Sequence, residues 1–137
     1  MVTVVELRDL GTTRVSVPAG KTYVHVLRSV IASVASRLPM SFDDVDDLRL
    51  AVDEAAARLI LLPGADRLEM EVSHAADGLD VVVRVPGDDA PWPEPAWDTT
   101  LTWKILTALM ERVRFERTDA AAEIRMSKRA TLGAIRA

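Results

Sequence analysis

The chain opens with apolar and polar residues alternating at a period of two. Residues 2–8 and 13–17 alternate in β-favouring types around Asp9-Leu10-Gly11, which predicts a hairpin or two short strands at a sheet edge. Pro18-Ala19-Gly20 ends the second run. The period then lengthens over residues 21–38. Tyr23, Val26, Leu27, Val30, Ile31, Val34 and Leu38 recur at helical spacing and form one apolar stripe, which Pro39 stops. His25, Arg28, Ser29, Ser33 and Arg37 lie off that stripe.

Ser41 opens a second predicted helix. Ser41-Phe-Asp-Asp44 has the form of a capping box, with Asp in place of the usual Glu. Asp43, Asp44, Asp46 and Asp47 crowd the first turns, where the helix dipole favours negative charge. Val45, Leu48, Val52, Ala55, Leu59 and Leu62 mark its buried side, and Pro63-Gly64 ends it.

Residues 67–73 return to alternation, the Asp77-Gly78 pair signals a tight turn, and residues 79–85 pair back. Residues 86–95 hold four prolines in ten positions, which predicts a long, locally stiff loop. A third helix is expected over 99–112, with Leu101, Ile105, Ala108 and Leu109 on one side. Residues 113–118 and 122–128 predict a closing hairpin around Asp119-Ala120, and 130–137 a frayed tail. The order ββ-α-α-ββ-α-ββ predicts an α/β (α+β) two-layer sandwich. Its sheet is expected to be mixed and mostly antiparallel, covered on one face by three helices.

Composition narrows the classes. At 137 residues the chain fits one domain, 1–137, large enough for a core without staples. It has no Cys, which removes disulfides and thiolate metal sites and is compatible with a reducing cytoplasm. The start of the chain is not patterned as a signal peptide, and no apolar run is long enough for a bilayer. The net charge of −4 gives no global attraction to nucleic acid and suits either a solvated surface or a protein partner with a basic face.

Candidate chemistry concentrates on the second helix. Asp53 and Glu54 interrupt its apolar middle, and Arg58 follows Glu54 by four residues. On spacing alone that is a solvated Glu–Arg pair worth a few tenths of a kcal/mol. His25 and His74 have no metal-ligand spacing, no Ser sits in a nucleophile elbow, and no phosphate-cradling glycine loop is present. Trp92, Trp97 and Trp103 gather around the proline loop, either to pack it onto the domain or to present an aromatic patch to a partner.

The stretch Asp43-Asp-Val-Asp-Asp-Leu-Arg-Leu-Ala-Val-Asp-Glu-Ala-Ala-Ala-Arg-Leu-Ile60 resembles the first nucleotide-binding motif of anti-sigma factors of the serine-kinase, histidine-kinase-like ATPase (Bergerat) fold. The early strand pair, the helix with Val26-Leu27-Arg28 and the late helix Leu101-Thr-Trp-Lys-Ile-Leu-Thr-Ala-Leu109 fall where that family has them. The likeness covers about residues 12–130 and is closest to actinobacterial anti-sigma-F/sigma-B factors.

The resemblance implies a cytoplasmic regulator that sequesters an alternative sigma factor and is released by an anti-anti-sigma factor. It also implies a homodimer through the early-strand edge, and no direct contact with nucleic acid or membrane. In the family, a Glu activates a serine hydroxyl and an Asn four residues on holds Mg²⁺. Glu54 matches the base, while Arg58 stands at the Asn position. A guanidinium has only donors and cannot ligate Mg²⁺; it could neutralise Glu54 or meet phosphate oxygens directly. The family's Asp-x-Gly-x-Gly loop is replaced by Arg84-Val-Pro-Gly-Asp88, and its glycine-rich phosphate turn by Asp98-Thr-Thr-Leu-Thr-Trp103. These departures imply a degenerate pocket that uses neither ATP nor Mg²⁺. The alternative is an active serine kinase that uses both. Arg28 matches the family's partner-contacting Arg on the first helix.

Overall fold

A computed structural model describes residues 2–6, 11–87 and 91–131. The first strands are β1 (Thr3–Glu6) and β2 (Thr12–Pro18), followed by helices α1 (Lys21–Ala35) and α2 (Phe42–Leu59). Strands β3 (Arg67–Ala75) and β4 (Gly78–Pro86) precede a 3-10 turn at Trp97–Thr99 and helix α3 (Leu101–Leu109). Strands β5 (Arg112–Arg117) and β6 (Ala121–Arg129) close the chain. The expected hairpin tip at Asp9-Leu10-Gly11 falls mostly on residues 7–10, outside the described residues.

Among the described residues, six strands run in the order β1-β2-β3-β4-β6-β5. Every pair among the described residues is antiparallel, so the expected mixture is absent there. The register explains the layers. Val15 lies opposite Met70, Met70 opposite Val83, Val83 opposite Ile124, and Ile124 opposite Phe115. One face of the sheet is therefore apolar across five strands, and Leu27, Ile31, Leu48, Val52, Leu59 and Leu106 of the helices are buried with it. Burying each such side chain contributes roughly 1.5–3 kcal/mol.

The opposite face carries ion pairs. Arg84 Nε meets Glu123 Oε2 at 3.0 Å, and Arg125 Nη2 meets Glu123 Oε1 at 2.9 Å. Glu116 and Glu123 are direct cross-strand neighbours, an unfavourable like-charge pairing that Arg125 offsets by binding both. Strand β1 is one edge of the sheet and β5 the other.

Helix α1 ends three residues before the Leu38 expected from the stripe. Arg37 and Leu38 donate to the carbonyls of Val34 and Ala35 at 3.2 and 3.1 Å, tightening the chain into turns before Pro39. Helix α2 begins as its sequence dictates. Ser41 and Asp44 form the reciprocal capping box, each bond 3.1 Å long.

Helix α3 departs further from expectation. It stops at Leu109, and its inward side is offset from the expected stripe. Leu101 is 71% exposed and Ala108 is also exposed, while Thr102 and Leu106 are buried. Thr100 sets that phase by accepting the Trp103 N–H, and Thr102 then faces α2.

The expected frayed tail is docked at its first two residues. Ala130 is buried, and Thr131 donates its N–H and hydroxyl to Asp44 Oδ2 at 3.0 and 2.7 Å. Residues 132–137 lie outside the described residues.

Candidate functional site

Helix α2 crosses the centre of the helical layer, packed between α1 and α3. Its acidic pair therefore faces two neighbours. Asp53 turns to α1, where Oδ2 accepts from Arg28 Nη1 at 2.8 Å. Both side chains stay partly exposed, so the pair contributes about 0.2–1 kcal/mol. Glu54 turns to α3, where Oε2 accepts from the buried Thr102 hydroxyl at 3.0 Å.

Arg58 does not pair with Glu54, the contact its spacing suggested. Its guanidinium reaches the proline loop instead, with Nη2 2.6 Å and Nε 3.2 Å from Glu94 Oε1. The guanidinium carbon lies 5.3 Å from the centre of the Trp92 ring, a cation–π contact. A Glu94 carboxylate and an indole thus satisfy the cation, and Glu54 is left to Thr102.

The loop is fixed from the sheet side as well. Trp92 is 5% exposed, its Nε1 donates to the Glu123 carbonyl at 3.0 Å, and its ring stacks on Phe115 at 4.9 Å. Trp97 and Trp103 meet edge to face at 4.8 Å, and both lie against Phe115. Of the two readings left open for the tryptophans, the geometry favours packing: the three rings gather on Phe115 and seat the loop.

A Mg²⁺ ion does not fit this arrangement. It needs oxygen ligands in octahedral geometry, whereas Arg58, the residue that the resemblance would set at a metal position, offers only N–H donors. Residues at the two other departures from the resemblance have structural partners. Arg84 is on the far face of the sheet, bound to Glu123, and Thr100 spends its hydroxyl capping α3.

Between α1, α2 and α3 an open groove of about 600 Å³ is lined by Val24, Leu50, Ala57, Ile60, Ile105 and Leu109, with Lys21, Asp53 and Glu54 also on its walls. Arg28, Arg49 and Asp46 border a smaller hollow that shares Leu50 and Asp53 with it. Arg28 therefore stands beside an apolar furrow rather than on bare helix.

Sequence reasoning missed three members of this constellation. Thr102 and Glu94 come from elements remote in sequence from α2, and nothing in their spacing announces the contact. Glu94 did carry one local signal: it sits between Pro93 and Pro95, which restrict the backbone on both sides. Lys128 is the third. It is 8% exposed on the inner face of β6, and its Nζ bonds Asp47 Oδ2 at 3.0 Å and the Leu109 carbonyl at 2.9 Å, tying α2 and α3 to the sheet.

No helix is long and apolar enough to cross a membrane among the described residues. A family model described as histidine kinase-like ATPase domain matches residues 17–128. The chain is 28% identical over 130 residues to the serine-protein kinase RsbW of Bacillus licheniformis, covering 81% of each chain. It is 33% identical over 86 residues to the serine-protein kinase RsbW of Bacillus velezensis, covering 60% of this chain and 54% of that one. With the anti-sigma-F factor RsbW of Mycobacterium tuberculosis the identity is 30% over 119 residues, covering 78% of this chain and 62% of that protein. Two of these three matches thus span less than two thirds of the relative's length.

Proposed function

The chain belongs to the histidine kinase-like ATPase domain family, and from that premise we propose that it is an anti-sigma factor whose nucleotide pocket no longer works. It binds and sequesters an alternative RNA polymerase sigma factor in the cytoplasm, and an anti-anti-sigma antagonist releases it. Arg28 and the adjoining furrow form the partner-binding surface, and a homodimer assembles through the β1 edge.

The observation that carries the loss of nucleotide chemistry is the Arg58–Glu94 contact of 2.6 Å. Glu54, the candidate general base, accepts a hydrogen bond from Thr102 and so has a structural partner already. Arg58 has N–H donors only and does not suit a metal that would carry phosphate transfer. The relatives named anti-sigma-F factor and serine-protein kinase support sigma-factor regulation as the setting.

The names of the Bacillus relatives favour a second reading, a serine kinase that phosphorylates the antagonist with ATP and Mg²⁺. A thermal shift with MgATP separates the two. A working pocket raises the midpoint at millimolar nucleotide by mass action. The expected result is no shift and no phosphate transfer to an antagonist. A shift accompanied by transfer would establish the kinase.

A further inference from the structure

Arg58 is held by two residues of the proline loop. Only one oxygen of Glu94, Oε1, takes both of its contacts, from Nη2 at 2.6 Å and Nε at 3.2 Å. One flank of the guanidinium is closed by the Trp92 indole, which is itself stacked on Phe115 and bonded to the Glu123 carbonyl. The Arg58 side chain keeps 20% of its exposure. A planar N–H fork braced on an aromatic ring and facing a single carboxylate oxygen is the chemistry that receives an oxyanion.

We infer that Arg58 is an oxyanion site which the chain fills with its own Glu94 carboxylate, and that Glu94 is the residue that excludes phosphate-bearing ligands from it. This rests on the reading of a closed pocket given above and names what closes it. The exclusion follows from tethering. Glu94 lies two residues beyond the anchored Trp92 and between two prolines, so it wanders little from Arg58. A group tethered so closely acts at an effective concentration of millimolar or more. A free anion that gains one guanidinium contact cannot displace it at comparable concentration. Removing the carboxylate, rather than the guanidinium, is what opens the site.

The test titrates metal-free inorganic pyrophosphate, up to about 1 mM and so no higher than the effective concentration of the tethered carboxylate, into wild type, Glu94→Gln and Glu94→Gln/Arg58→Gln at constant low ionic strength. Thermal midpoint and tryptophan fluorescence are the readouts. The expected result is a flat wild type, a saturable response in Glu94→Gln, and a flat double variant. Glu94→Asp keeps the charge but shortens the tether by one methylene. It should respond more than wild type and less than Glu94→Gln, and it decides the matter if the Gln variant does not fold. A folded Glu94→Gln that stays flat, a wild type that responds equally, or a double variant that still responds would overturn the inference. Phosphate transfer by the wild type with MgATP would instead sink the function proposed above; flat variants with intact partner capture sink only this inference.

Discussion

Arg58 and Glu54 stand one helical turn apart on α2 and do not pair: Arg58 reaches Glu94 of the proline loop, and Glu54 holds Thr102 of α3. Their divergence joins α2 to the proline loop and to α3. Arg58 is thus a fastening for the loop.

Replacing Arg58 by Asn installs the residue type that the resemblance expects there but removes that fastening. Arg58→Asn should lower stability by about 1–3 kcal/mol, through the lost cation–π contact and a Glu94 left without its partner. It should not gain a MgATP thermal shift, because no glycine-rich phosphate turn accompanies it. Urea denaturation with and without MgATP checks both statements.

Trp92→Ala should be among the more damaging single changes. It deletes a buried ring and leaves the Glu123 carbonyl without its indole donor, for a loss of about 3–5 kcal/mol. Trp92→Phe keeps most of the apolar volume and should lose about 1–3 kcal/mol from the unmade hydrogen bond. Equal losses in the two variants, measured by denaturant midpoint, would contradict this assignment.

Asp44 gives the chain a defined acid sensitivity. Burial pushes its carboxyl up, but the hydrogen bonds donated by Thr131 and Ser41 together outweigh that and hold it below its ordinary value. A group depressed in the folded state stabilises fully above its unfolded pKa, about 3.9, and that stabilisation is lost as pH falls through the lower folded value. Asp44→Asn should therefore be less stable than wild type at neutral pH, with the difference narrowing below about pH 4. Thermal midpoints of both proteins across pH 2–7, a range spanning about two units below and three above that value, are the measurement.

Much of this architecture was legible in the residues. The capping box at Ser41 and the period-two strands reappear, because each is set by local backbone chemistry, whereas the turn expected at Asp77-Gly78 falls one residue earlier, at Ala76-Asp77, with Gly78 already paired to Ala75. The phase of α3 was not legible. Leu101 looks like a core residue in a helical window, yet the Thr100 cap and the Thr102–Glu54 bond turn it to solvent. The Arg58–Glu94 contact was hidden for a similar reason. The i,i+4 rule describes an isolated helix, and here a remote carboxylate outcompetes the local one. Arg28 is the intermediate case: its place off the apolar stripe was readable, its engagement by Asp53 was not.

That engagement sharpens the test of the partner surface. Arg28→Glu should weaken sigma-factor capture at least tenfold, a loss of about 1.4 kcal/mol, with little change in stability. Asp53→Asn frees the guanidinium from its internal pair and should maintain or strengthen capture. If Asp53→Asn weakens binding as much as Arg28→Glu, the carboxylate rather than the guanidinium makes the contact. Quantitative co-purification with each variant distinguishes these outcomes.

The most direct test of the central claim is affinity capture of RNA polymerase subunits from a lysate of the source cells, run with nucleotide depleted and with MgATP added. The account predicts that a sigma factor is retained on the wild-type chain, lost on Arg28→Glu, and recovered equally in both nucleotide conditions. Retention of no sigma factor, or retention that depends on MgATP, would contradict it.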